Sequence, residues 1–169
     1  GNFKWAKRIG GIGNDYAHAI TTDNNGNVYT TGSYISTVDF DPGAGAVNFT
    51  STGLSDVFIL KLDSNGNYVW ARRFGASDDD AGKAIAVDNV GNVYTAGGFR
   101  GNVDFDPGSG SFPITYAGAV TIYLQKLTSS GAFVWAKAMG GAGGQIPQSL
   151  VYDKFNRLVL GGYFMGQGD

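Results

Sequence analysis

Asp39-Phe40-Asp41-Pro42-Gly43 and Asp104-Phe105-Asp106-Pro107-Gly108 are the segments whose residue types and spacing best suit chemistry. Asp39 with Asp41, and Asp104 with Asp106, could offer paired carboxylates to a hard cation. Calcium takes about 6–8 oxygen ligands, and backbone carbonyls can contribute. Two carboxylates fall short of that, so the following loop would have to complete the set. The spacing also departs from the Asp-x-Asp-x-Asp-Gly calcium loop. The competing reading is a rigid Pro-Gly turn in which each Asp accepts backbone N–H groups. In an extended segment Phe40 and Phe105 point opposite to their flanking Asp side chains, and would anchor the turn. These four Asp are the metal candidates, with calcium as the ion, and no other cofactor is implied.

The remaining polar signals are weaker. Asp78-Asp79-Asp80 reads as a solvated acidic loop. His18 is the chain's single histidine, and the matching positions 83 and 148 hold Lys and Gln, so the position accepts any polar group. A Ser–His–Asp mechanism needs three oriented groups, and nothing pairs a Ser with this His. Gly10-Gly11-Ile12-Gly13 and Gly140-Gly141-Ala142-Gly143 look like phosphate loops. No helical pattern follows them to supply a helix N-terminus. No residue set specifies a reaction, so the expectation is a chain without catalytic residues.

The elements that position these residues follow from an internal repeat. Trp5, Trp70 and Trp135 recur at one constant interval, and the same interval separates Asp23, Asp88 and Asp153, and Gly32, Gly97 and Gly162. Gapless self-similarity at a fixed period means stacked supersecondary units. In the first unit, strands are expected at Ala17 to Thr22, Val28 to Tyr34, Val57 to Leu62 and Tyr68 to Phe74. Val38-Asp39-Phe40 would extend a little sheet before a long loop. Turns fall at Asp23-Asn24-Asn25-Gly26-Asn27 and Asp63-Ser64-Asn65-Gly66-Asn67. The fourth turn residue is Gly26, Gly66, Gly91, Gly131 or Asn156. A hairpin built on a type I turn with a bulge needs φ > 0 there, which Gly enters freely and Asn tolerates best of the rest.

Each Trp has a cation two residues on, along one strand face: Lys7, Arg72 and Lys137. That spacing permits cation–π contact, while the plainer role for the Trp is packing between sheets. The first strand of each unit carries small residues on one face, at Ala19 and Thr21, Ala84 and Ala86, Ser149 and Val151. Small side chains suit the crowded centre of a radial array. The expected fold is all-β, a partial β-propeller with four antiparallel strands per blade. Residues 1–10 read as the last strand of a preceding or shared blade. Blades follow at 16–74 and 81–139, and 146–169 supplies the first two strands of another. Propellers have about 4–8 blades, so the expectation is a piece of a longer protein, or one subunit of a shared ring.

Composition narrows the partners. The chain has 169 residues, 28 of them Gly, a net charge of -2 and no Cys. An acidic balance argues against nucleic acid. No apolar run approaches the ~18 residues of a membrane helix. Without Cys there is neither a disulfide framework nor a thiolate metal site.

The strings at 5–15, 56–70 and 84–97 resemble the bacterial SBBP beta-propeller repeat, and the likeness extends over essentially the whole chain. The Asp-Phe-Asp-Pro-Gly variant looks like copies from Bacteroidetes-type proteins. The resemblance implies an extracellular or bacterial cell-surface protein, often large and modular, with no common catalytic residues to carry over. The third copy departs from the pattern, with Gln145 where the others hold Asp15 and Asp80. The expected function is a non-enzymatic scaffold or protein-binding segment, partnered by further propeller or other protein subunits. The alternatives are a glycan-binding propeller using Tyr34, Phe49, Phe99 and Tyr116, and a piece of an enzyme whose active site lies outside this chain.

Overall fold

The structure, a computed structural model, describes residues 1–140 and 143–164. The first repeat holds β1 (Tyr16–Thr22), β2 (Val28–Tyr34), β3 (Thr37–Asp39), β4 (Asn48–Thr50), β5 (Asp56–Leu62) and β6 (Tyr68–Phe74). The second holds β7 (Ala81–Val87), β8 (Val93–Asp104), β9 (Pro113–Leu127) and β10 (Phe133–Met139). The third begins with β11 (Gln145–Tyr152) and β12 (Leu158–Phe164). Among the described residues there is no helix.

The strands pair in chain order. One antiparallel sheet runs β1-β2-β5-β6, a second runs β7-β8-β9-β10, and β11 pairs with β12. The four-stranded antiparallel unit expected from the repeat is therefore present in both complete copies. β3 and β4 form a short ribbon beyond the first sheet, at the place where the second repeat prolongs β8 and β9 and pairs Asp104 with Pro113. The break in both copies falls at a left-handed residue, Ser36 (φ 68) or Gly101 (φ 71). Ser36 is held there because its N–H donates to Ser51 Oγ (3.0 Å) and its carbonyl accepts from Ser51 N–H (3.1 Å).

All five hairpin turns share one geometry. The fourth residue lies at positive φ in each, from 60° at Asn156 to 86° at Gly91. The carboxylate of the first residue accepts the N–H groups two and four positions on, as Asp88 Oδ1 does from Val90 (3.1 Å) and Asn92 (2.8 Å). Thr128 does less, accepting only from Ala132 N–H (3.1 Å). The fifth residue locks the turn from the far side: Asn27, Asn67 and Asn92 each donate Nδ2 to the Asp, and Arg157 does so through Nε.

The core lies between sheets. Tyr29, Val57, Ile59, Trp70 and Phe74 from the first sheet meet Ile85, Val93, Phe99, Val103, Phe105, Tyr123 and Leu127 from the second. β7 approaches the first sheet so closely that a Cβ on Gly82 would lie 2.1 Å from Thr31 Oγ1, so only glycine fits. Ala84 and Ala86 are buried with Leu150 of β11, the crowding expected of the small-residue face, whereas the matching Ser149 and Val151 are exposed.

Residues 3–9 do not form the expected strand. A strand needs a hydrogen-bonded neighbour, and among the described residues no strand pairs with them. Trp5 nonetheless takes its repeat position. Its indole N–H donates to Ser64 O (3.0 Å), as Trp70 donates to Ser129 O (3.0 Å) one repeat later.

The turns and the joint give a paired test. A Cβ at Gly91 would meet only Ser129 Cβ, at 3.1 Å, whereas at Gly131 it would meet both the Trp70 ring and the Arg72 guanidinium at 3.1 Å. Gly91→Ala should cost about 1–2 kcal/mol, the left-handed penalty of an L-residue. Gly131→Ala should cost distinctly more, because it also pushes the two sheets apart. Urea denaturation of the two variants checks the order.

Candidate functional site

The Asp-Phe-Asp-Pro-Gly segments are placed by their Phe side chains. Phe40 is buried among Tyr34, Phe49 and Phe58, with ring centroids 5.1–5.3 Å away. Phe105 is buried among Phe74, Phe99 and Tyr123 at 5.0–5.3 Å. The carboxylates then serve the turn. Asp39 Oδ1 accepts from Asp41 N–H (3.0 Å) and Val47 N–H (2.8 Å). Asp104 Oδ1 accepts from Asp106 N–H (3.0 Å) and Phe112 N–H (2.7 Å), and Oδ2 from Ser111 Oγ (2.8 Å). Asp41 and Asp106 each cap the glycine N–H two residues on, at 2.7 and 2.8 Å. The Val47 and Asp41 N–H groups hold the Asp39 carboxyl below the usual carboxylate range.

Asp39 thus lies beside Asp41, and Asp104 beside Asp106, each pair in its own turn. No group of three or more acidic or histidine side chains able to hold a metal is found among the described residues. A calcium ion here would have to draw on carboxylates already bonded to backbone N–H groups.

Asp80 corrects the expectation of a solvated acidic loop. Asp78 and Asp79 are exposed, but Asp80 is fully buried. The linker from the first sheet to the second is pinned to the start of β5: Asp80 N–H donates to Ser55 O (2.9 Å), and Ser55 Oγ donates to Asp79 Oδ1 (3.0 Å). Asp80 Oδ2 accepts from Ala76 N–H (2.7 Å) and Oδ1 from Arg100 N–H (3.0 Å). Asp15 binds Gly11 and Ile35 N–H in the same way, at 2.7 and 3.3 Å. Burial pushes the Asp80 carboxyl from 3.8 up to about 6, against those two N–H donors, and the charges of Asp56 and Asp78 add to the rise. Gln145, the third member, is also buried and donates Nε2 to the Gly143 carbonyl. Sequence reading saw the Asp-to-Gln change but not the burial behind it.

The aromatic candidates for glycan contact are core residues. Tyr34 and Phe99 have no exposed surface, and Phe49 and Tyr116 are half-buried, so these rings do not form an open platform. Trp70 is buried at the joint. Arg72 lies 5.6 Å from its ring and donates to the Gly131 carbonyl at 2.8 Å. Lys137 lies 5.9 Å from Trp135, while Trp5 and Lys7 both flank Gly66. The glycine-rich run at 10–13 lies against backbone, where a Cβ on Gly11 would sit 2.2 Å from Thr37 O. Residues 141–142 of the second such run lie outside the described residues.

A sharp contrast between equivalent positions marks an open face. Ile85, on β7, is 6% exposed because the first sheet covers it, and Leu150, its match on β11, is 7% exposed against the second sheet. Ile20, the match on β1, is 70% exposed. It borders a hollow of about 280 Å³ lined with Trp5, Val28, Phe40, Phe58 and Leu60. This is the same face that the second sheet fills with the first. Sequence reading missed it, although the shared apolar position at 20, 85 and 150 was its signal.

Comparison with known proteins gives the same repeat. A family model described as SBBP, beta-propeller repeat, matches residues 4–33 and 69–98, two segments offset by one repeat. Each match runs from an outer Trp through the first two strands of the following sheet. An uncharacterized WD repeat-containing protein, L264, of Acanthamoeba polyphaga mimivirus is 26% identical over 186 residues, covering 96% of this chain and 13% of that protein. The regulatory protein FlaEY of Caulobacter vibrioides is 28% identical over 110 residues, covering 65% of this chain and 12% of that protein. The chain therefore spans about an eighth of the length of these relatives.

Two measurements test the acidic residues. Calcium or a chelator should leave the melting temperature unchanged, and Asp39→Ala should lower it, because two backbone donors lose their acceptor. A chelator-induced fall that disappears in the doubly substituted Asp41→Asn, Asp106→Asn chain would establish a calcium site. For Asp80 the folded carboxyl binds its proton more tightly than the unfolded one. Its contribution to stability is complete below its ordinary 3.8 and lost as pH rises through about 6. Relative to Asp80→Asn, the wild-type chain should lose stability across that window and show no further change above it, by urea denaturation at stepped pH.

Proposed function

We propose that this chain, which carries SBBP beta-propeller repeats at residues 4–33 and 69–98, is a non-catalytic interaction scaffold that docks a further blade of the same kind. The observation that carries the reading is the exposure of Ile20 beside the burial of Ile85 and Leu150. The joint between the two sheets shows what fits such a face: a sheet presenting Tyr, Val and Ile, its outer Trp already supplied here by Trp5 on the Ser64 carbonyl. The relative named as a WD repeat-containing protein supports a repeat scaffold. We extend the proposal to an extracellular or cell-surface setting in bacteria, supported by the likeness of the repeat strings. Fractionation of the cells that make this protein would test it, and a cytoplasmic pool alone would refute it.

Sedimentation velocity across a wide concentration range tests the docking face. The wild-type chain should associate reversibly. Ile20→Asp should shift it to monomer with its melting temperature nearly unchanged, because the site is at the surface. Ile85→Asp, the same change in the filled joint, should destabilise by at least about 3 kcal/mol through an unpaired buried charge. A wild-type chain that stays monomeric throughout would refute the docking reading.

A further inference from the structure

The innermost strands of the three repeats, β1, β7 and β11, lie side by side. Each carries a register shift at the same repeat position: between Ala17 and Ala19, between Gly82 and Ala84, and between Pro147 and Ser149. The extra residue is His18, Lys83 or Gln148 in turn. A bulge leaves its extra residue out of the ladder and re-aims the side chain. Here the three bulges direct three different polar side chains to one hollow of about 420 Å³, whose wall is completed by Ile146, Pro147 and Tyr163.

Among the described residues this lining offers donors and no carboxylate, although the chain has 14 acidic residues. Lys83 is half-buried, and its Nζ lies 3.0 Å from His18 Nε2. An ammonium can only donate, so Nε2 accepts, and His18 is neutral with its proton on Nδ1. Tyr16 stacks on the His18 ring at 5.9 Å and 9°, which fixes the ring's plane. Neither ion pair found among the described residues includes Lys83. A partly desolvated cation without a counter-charge is held at a free-energy cost. Burial accordingly lowers the Lys83 pKa, and burial followed by the Lys83 charge lowers that of His18.

We propose that this hollow binds a small organic carboxylate, paired with the Lys83 ammonium and the Gln148 amide, its body against Ile146, Pro147 and Tyr163. One ammonium and one neutral amide match a single carboxylate. A phosphate dianion would call for more charge than the site provides. The volume suits a ligand of sugar-acid size, within the range of about 300–1,000 Å³ for small-molecule sites. The bulged position explains why the three repeats differ here. It lies outside the ladder, so a change of side chain leaves the strand pairing intact.

The single histidine makes the test direct, because its ring-proton NMR signals report only this site. Acetate and glucuronate are titrated into the full chain, with glucose and inorganic phosphate in parallel. The expected result is a saturable shift of the His18 signals with both carboxylates and a raised His18 pKa in their presence. Glucose should have no effect. Lys83→Gln, which places the third repeat's own residue at the bulge, should weaken carboxylate binding at least about tenfold, the effect of losing one charge-assisted bond. Non-saturating shifts, equal saturation by phosphate, or undiminished binding in a folded Lys83→Gln chain would each overturn the proposal.

Discussion

Each sheet of this protein is stable only when another sheet covers it, and that dependence shapes everything else. A four-stranded unit of this kind has two faces and no helix to cover either. The joint between the first and second sheets meets the need with packed rings: Phe74 lies 5.0 Å from Phe105 and 5.1 Å from Tyr123. A buried aromatic side chain removes about 150–250 Å² from water, roughly 4 kcal/mol or more for each ring at about 25 cal/mol per Å². The indole bond from Trp70 to Ser129 adds about 1 kcal/mol. Burial therefore supplies the strength of the joint, and the bond sets its register, fixing which turn each outer Trp reaches.

The polar architecture serves the same joint. Asp80 is buried because the linker must turn tightly from β6 into β7, and its carboxylate satisfies two N–H groups that the turn leaves unpaired. Every acidic residue in the chain is Asp and none is Glu. A short side chain reaches nearby backbone N–H groups, two and four residues on in the hairpin turns and two and eight residues on from Asp39 and Asp104. Asp15 and Asp80 reach farther, to N–H groups four residues before and twenty after, and Asp56 adds a charged partner. It is buried, paired with Arg73 at 3.3 Å, and replaced by Thr121 in the next repeat. Burial pushes its carboxyl up, against the Thr52 N–H and the Arg73 charge.

The local features were legible in the sequence, because their causes are local. Glycine at the left-handed turn position, Asn156 as its tolerated replacement, and Phe40 and Phe105 as anchors all follow from backbone geometry and alternation. What depends on distant chain was not legible. Asp78, Asp79 and Asp80 look alike in sequence, and only the approach of Ser55 separates the buried one. Residues 3–9 carry a strand pattern but lack a pairing neighbour. The convergence of His18, Lys83 and Gln148 rests on three bulges, and no residue type announces a bulge. Ile20 looks like Ile85, and they differ only in what lies opposite.

Native-state hydrogen exchange tests most directly whether face coverage governs this fold. β1 and β7 have the same length, equivalent antiparallel partners in β2 and β8 and a bulge at the same place, and they differ in what covers them. Amides of β7 should exchange far more slowly than their counterparts one repeat earlier in β1, with the difference largest around Ile85 and Ile20. Equal protection of the two strands in the monomeric chain would contradict it, because stability would then reside within each sheet and not in the joint between sheets.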